Sequence, residues 1–333
     1  MEMIKKERIC LFDNLKALLI LFVVFGHALE ALLKDSHAEF LYMLIYSFHM
    51  PLFAFCSGFF AKYDPARIKK NLMYPFFVFQ GLYLLFDHFC LKQDAVLTLT
   101  KPYWLMWYLF AMIIWEMVLP FVDSDSLPRQ LSNLALFTVL GILAGYDKTI
   151  GYYMSLSRIL VYFPFFLAAY YVRRQKLLEG LLTFAKSRSG RILSLLSVLG
   201  MTGYIALHQN QYKVSWLYGS IAYADGEYDA LFRLQLYLFA MLWLLFLAAF
   251  VPNRRTVLTG IGENSLYIYL LHGFIIKYAN HIHVLKYVEY KIPTAFLLSV
   301  LLVYLLSRRP VRKLCAPLVR LPRFGSWENA VLK

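Results

Sequence analysis

Charge is what this sequence is short of. Only 16% of its 333 residues are charged, 60% are hydrophobic, and the mean hydropathy is +0.57. A soluble domain carries about 25% charged and roughly 45–50% apolar residues. One water-soluble core is therefore excluded, and a polytopic membrane protein follows. Acidic residues are especially few: 20 Asp and Glu stand against 34 Lys and Arg, a net charge of +14. In a membrane protein such an excess marks cytoplasmic loops, so it calls for no nucleic-acid partner. Cysteine is sparse as well. Cys10, Cys56, Cys90 and Cys315 form no CxxC pair and have no metal-ligand spacing, which excludes a disulfide framework and points to no metal. The sequence also lacks G-x-S-x-G, H-E-x-x-H, a Walker loop and G-x-G-x-x-G, so none of those soluble chemistries applies. It has no internal repeat, low-complexity segment or second domain. It reads as a single domain over 1–333, with a core at about 8–308 and a short basic cytoplasmic tail at 309–333.

What the sequence has instead is long apolar runs. About 20 such residues cross a bilayer as a helix. Ten segments qualify, near 12–32, 40–61, 72–90, 103–122, 131–146, 156–173, 190–207, 231–250, 262–280 and 292–308, the fifth being the shortest. The longest connection, about 208–230, is polar and aromatic. With the N-terminus in the cytoplasm, most basic residues fall at inner ends, among them Lys5, Lys6, Arg8, the Arg67–Lys70 cluster, Arg173 to Arg191, and the tail with Arg323 and Lys333. That bias sets both termini inside and an even number of crossings. The expected fold is an all-α membrane bundle of about ten transmembrane helices, multi-pass in the plasma or inner membrane. Asp13 and Lys16 interrupt the first run, which therefore reads as an uncleaved helix and not a signal peptide.

Ionisable residues inside such helices mark functional sites by default. Lys16 and His27 bracket the apolar part of the first segment, "DNLKALLILFVVFGH". Eleven residues at about 100° each return to within about 20° of the same stripe, and span about 16 Å. Lys16 either snorkels to headgroups, paired with Asp13, or faces a ligand. His27 is a candidate base or a buried interhelical donor. In "SFHMPLFAFCSGFF", His49 falls at a similar depth, Pro51 bends the helix, and Ser57-Gly58 permits close packing. Arg67, Lys69 and Lys70 are placed to hold phosphates, or are topology signals alone. Glu116 lies deep in its segment, with a basic partner on another helix as one reading. Arg158 and Arg233 sit at outer mouths, where each snorkels or, for Arg158, binds carboxylates or hydroxyls of a glycan. Ser265, Tyr269 and His272, spaced i, i+4, i+7, share a face, with Asn264 and Ser265 as possible caps.

In this order the fragments resemble the membrane acyltransferase-3 family. The likeness rests on Asp13 and the Lys16-to-His27 spacing, on Phe48-His49-Met50-Pro51-Leu52-Phe53 with Ser57-Gly58, and on the basic cluster before Pro75. Trp107-Tyr108-Leu109 and the Ser265-to-His272 face complete it. Arg158 with Phe163-Pro164-Phe165-Phe166 is similar to the fucose 4-O-acetylase-like branch. Two features depart from the family pattern: Lys16 stands where the family often has Arg, and its Arg-x-Arg appears as Arg67-Ile68-Lys69-Lys70. The resemblance implies transfer of an acyl group, usually acetyl from acetyl-CoA, to a hydroxyl of a cell-surface or lipid-linked glycan, directly or through a separate extracytoplasmic transferase. It implies His27 as base or acylated nucleophile, with His49 orienting it or binding the oxyanion. Lys16, Arg67, Lys69 and Lys70 would hold CoA, and Arg158, Glu116, Ser265, Tyr269 and His272 would line the acceptor. Membrane lipid is the surrounding partner. A flippase or other transporter of lipid-linked sugars is the alternative, and a non-catalytic assembly subunit is a third reading.

Overall fold

A chain in lipid has to satisfy its own backbone, and helices do so segment by segment. The computed structural model describes residues 9–93 and 100–321, and every regular element among them is helical. The predicted inner residues Lys5, Lys6, Arg8, Arg323 and Lys333 lie outside the described residues.

The chain runs through α1 (Cys10–Leu29), α2 (Ser36–Tyr46), α3 (His49–Phe60), α4 (Pro65–Ile68) and α5 (Tyr74–Cys90). It continues with α6 (Trp107–Val122), α7 (Leu127–Leu143), α8 (Leu156–Arg174), α9 (Leu178–Lys186) and α10 (Arg188–His208). The last third comprises α11 (Tyr223–Gly226), α12 (Ala230–Phe250), α13 (Val257–Gly262), α14 (Ser265–His281), α15 (Lys291–Leu306) and α16 (Arg309–Val319). All ten expected segments are thus helical. Six stretches are long and apolar enough to span a bilayer: Cys10–Leu32, Ser36–Phe60, Trp104–Val122, Tyr153–Arg174, Arg188–Gln211 and Ala230–Phe250. The bent pair α15 and α16 makes a seventh if taken as one span. Ten crossings is thus more than length and composition establish: α7 and α14 have 17 residues each.

Several expectations change. The second segment is two helices, and its break falls at Ser47–Phe48, ahead of Pro51. A continuous helix would bond the Ser47 carbonyl to residue 51, but proline has no N–H to give. Pro51 therefore sits in the first turn of α3, where a missing donor is tolerated. Before Pro75 the chain makes a wide turn over Lys69–Met73, closed by the Tyr74 amide on the Lys69 carbonyl. Such a turn keeps the preceding carbonyls clear of the proline ring. The 208–230 connection is folded into short helical turns, including Val214–Tyr218 and α11. Arg233 does not snorkel. It is 2% exposed, donates to the Gly141 carbonyl (3.1 Å) and the Tyr228 hydroxyl (2.8 Å), and lies over the Tyr223 ring. The first part of the basic tail is α16, turned 72° from α15. It is held by Arg312 on Asn264 (2.7 Å) and by the Tyr74 hydroxyl on the Pro317 carbonyl (2.7 Å).

The core centres on α8, wedged against α3 at Gly58, where a Cβ would overlap the Phe166 carbonyl. Pro164 interrupts the α8 ladder. Nearby carbonyls gain other donors, with Trp115 on Ile159 (3.0 Å) and Tyr237 on Val161 (2.7 Å), as a helix in lipid requires. The start of α1 is knotted to the turn before α13. Asn14 donates to the Pro252 and Arg254 carbonyls and accepts from Thr256 and Thr259, all at 2.7–3.0 Å. Leucines of α10 such as Leu196 and Leu199 face outward at about 60% exposure (62% and 58%). A face of that kind belongs against lipid.

Candidate active site

Helical periodicity carries the site. Lys16 and His27 fall on one stripe of α1, and both line a cavity of about 190 Å³ with Ser57, Tyr108, Ser265 and Tyr269. Most of the remaining wall is apolar, from Val23, Phe53, Leu72 and Met112. His27 also lines a second cavity, of about 420 Å³, with Glu30, Tyr46, His49, Trp104, Tyr152 and Arg158. The two chambers share only His27, Met50, Leu105 and Trp107. One imidazole thus faces both.

Glu30 fixes that ring. Its carboxylate lies 2.7 Å from His27 Nδ1 and also accepts from the Tyr46 hydroxyl at 3.2 Å. A carboxylate only accepts, so the bond places a proton on Nδ1, and in the neutral ring the lone pair is then on Nε2. This is the base-and-orienter pairing that nucleophile activation needs. Glu30 comes from the turn that ends α1, one helical turn past His27.

Trp104 packs against His27 from one side (ring centroids 4.7 Å apart) and His272 from another (5.5 Å). Trp104 has φ of 25°, a backbone conformation that bulky residues adopt only under constraint. The constraint is visible: Tyr269 bonds the Leu105 carbonyl, and the Tyr103 amide donates to Gln80 at 2.9 Å. Beside them Lys277 lies 2.6 and 2.8 Å from the two Asp87 oxygens, and the Tyr103 hydroxyl bonds both residues. α5 and α14 therefore press the 103–105 segment against the histidine.

A family model described as "Acyltransferase domain" matches residues 11–308. The chain belongs to the acyltransferase-3 family. No curated protein and no solved structure matches the chain. The match covers every helix that builds the two chambers, and it makes this a membrane acyltransferase.

The predicted residues of the acyltransferase divide into three groups. Lys16, His27, His49, Arg158, Ser265 and Tyr269 line one or both chambers. His272 is fully buried behind His27, its Nδ1 bonded to the Ile268 carbonyl at 2.9 Å and its Nε2 without a partner among the described residues. Arg67, Lys69, Lys70 and Glu116 line neither chamber. Arg67 and Glu116 hold each other at 2.6 Å, with the Glu116 side chain 2% exposed, and Lys69 and Lys70 are exposed on the wide turn. Glu116 is therefore a partner of Arg67, away from both chamber walls.

His49 does not touch His27. The Tyr46 ring contacts both, and His49 Nδ1 bonds the Ile45 carbonyl at 2.8 Å. A carbonyl only accepts, so the neutral ring offers an acceptor at Nε2. That suits a hydroxyl better than an oxyanion. Orientation of His27 falls to Glu30, which the sequence reading passed over although "HALE" places it at i+3. Lys16 is paired with Asp13 at 2.8 Å and still reaches the smaller chamber.

Breaking the Arg67–Glu116 pair leaves a buried acid without its cation. Arg67→Met should destabilise the protein by roughly 3–5 kcal/mol, toward the lower end because Arg67 is partly exposed. The readout is a lower thermal midpoint in detergent. Adding Glu116→Gln should recover part of the loss, and an unchanged midpoint in the single variant would refute the pairing's weight.

Proposed function

We propose that the protein transfers an acyl group, acetyl as the simplest, from acyl-CoA on the cytoplasmic side to a hydroxyl of a cell-surface or lipid-linked glycan. The observation that carries this reading is one histidine shared by two chambers, its tautomer held by Glu30. The smaller chamber suits the donor. Its wall is mostly apolar with Ser57, Tyr108 and Ser265 set in it, which suits the alkyl and amide stretches of a pantetheine arm, and Lys16 supplies a cation near its far end. The distance from Lys16 to His27 along α1 is about 16 Å, which brings a thioester to the imidazole when the phosphates stay at the mouth. The larger chamber, rich in aromatic rings and polar groups, suits a sugar.

In the reaction His27 Nε2 takes the proton of the acceptor hydroxyl as its oxygen attacks the thioester carbonyl. The C–S bond breaks, and the departing CoA sulfur recovers that proton from the imidazolium. Glu30 stabilises the imidazolium while it exists. Attack by His27 itself, giving an acyl-histidine, uses the same geometry. Acyl transfer of this kind is tested with purified protein, acetyl-CoA and extracted surface glycan, by following free thiol and ester formation together. Thiol release without any ester on a glycan would defeat the acceptor assignment, and no thiol release would defeat the donor.

Lys16 carries a separate expectation. Lys16→Gln should raise the KM for acyl-CoA about tenfold, the scale of one charge-assisted hydrogen bond, with kcat little changed. An unaltered KM would leave Lys16 as the partner of Asp13 alone.

A further inference from the structure

The larger chamber is uneven in charge. Its ionisable wall residues other than histidine and tyrosine are Glu30, Lys101 and Arg158. Glu30 is engaged with His27. Lys101 is exposed and has no ion pair among the described residues. Arg158 has no carboxylate partner among them either. It donates through Nε to the Tyr218 carbonyl (3.0 Å) and through Nη2 to Ser220 Oγ (3.2 Å), and its guanidinium carbon lies 5.2 and 5.5 Å from the Trp107 and Tyr152 ring centroids. Those contacts hold its plane but leave Nη1 unbonded among the described residues, on a residue that faces the chamber.

A guanidinium fixed in this way is prepared for an anion. A guanidinium pairs with carboxylate and phosphate oxygens by charge-assisted bonds, and this one is already held by two hydrogen bonds and lies near two aromatic rings. The rotamer entropy that a flexible side chain loses on binding has been lost in folding. The chamber's size, about 420 Å³, is within the range of small-ligand sites, and the rings of Trp104, Trp107 and Tyr152 offer flat apolar faces to a sugar.

We infer that the acceptor is an anionic sugar, bearing a carboxylate or a phosphate that Arg158 binds, with Lys101 adding charge at the mouth, while the acylated hydroxyl reaches His27. This rests on the larger chamber being the acceptor side of the proposed acyltransferase, and it names the class of sugar.

The test is equilibrium binding, which needs no turnover and so stands apart from any failure of acyl transfer. Quenching of tryptophan fluorescence in the purified protein is followed with glucose, glucuronate and glucose 1-phosphate. At low salt at least one anionic sugar should bind about ten- to a hundredfold more tightly than glucose, and added salt should weaken that preference. Glucuronate ahead of glucose 1-phosphate assigns a carboxylate, and the reverse order assigns a phosphate. Arg158→Gln should abolish the preference, and a thermal midpoint in detergent equal to the wild type's shows that the protein is still folded. Lys101→Gln should reduce the preference only a few-fold. Glucose binding as tightly as both anions, no binding by any of the three, or an undiminished preference in Arg158→Gln overturns the inference.

Discussion

His27→Ala should lower acyl transfer by about 10³-fold, within the range general-base catalysis supplies, and leave the protein inserted and folded. The fold should survive because the ring lines two chambers and is not part of a packed core. Its bond to Glu30 and its contact with Trp104 lie at the chamber wall, with the buried His272 behind it. The measurement is thiol release with acetyl-CoA and acceptor, beside a thermal midpoint in detergent. Wild-type turnover in this variant would end the proposed role. In the unmodified protein, a burst of CoA without acceptor would assign the acyl-histidine route, and its absence would assign direct attack.

Glu30→Gln should have the next largest effect. The substitution keeps size and hydrogen-bonding ability but removes the charge that faces the imidazolium, and the amide can turn its NH2 toward Nδ1 and impose the other tautomer. A buried orienting acid can be worth about 10⁴-fold in kcat. The Glu30 side chain is 30% exposed, so water screens part of that contribution and about 10²-fold is the expectation. The KM values should hardly move, because Glu30 orients the base and holds neither substrate. A loss confined to KM would instead make Glu30 a binding group.

The sequence carried much of this architecture because helices keep a fixed period. The ten apolar runs became helices, and Lys16 and His27 proved to share a cavity, as a stripe on α1 implies. What it carried poorly was tertiary. Nothing local in Asp87 or Lys277 announces a pair 190 residues apart, nor does Asn14 announce its hold on residues 252–259. The break between α2 and α3 falls ahead of Pro51 because proline withholds its donor from a carbonyl four residues earlier. Glu30 was overlooked for a different reason: an acid near a helix end looks like an ordinary interfacial residue until a histidine one turn back is seen bonded to it. Spacing also could not reveal the bond of His49 Nδ1 to the Ile45 carbonyl, nor the Tyr46 ring packed against both histidines.

The shared wall also bears on the membrane as a barrier. A membrane protein that holds two adjoining chambers is in danger of becoming a leak for ions. Here the chambers meet at His27, Met50, Leu105 and Trp107, three of them apolar, and Trp104 is pressed close by. A largely apolar wall of that kind opposes ion passage, as hydrophobic gates do in channels. In the proposed reaction an acyl group handed over at the imidazole would change chambers by bond exchange, so the septum need never part for it.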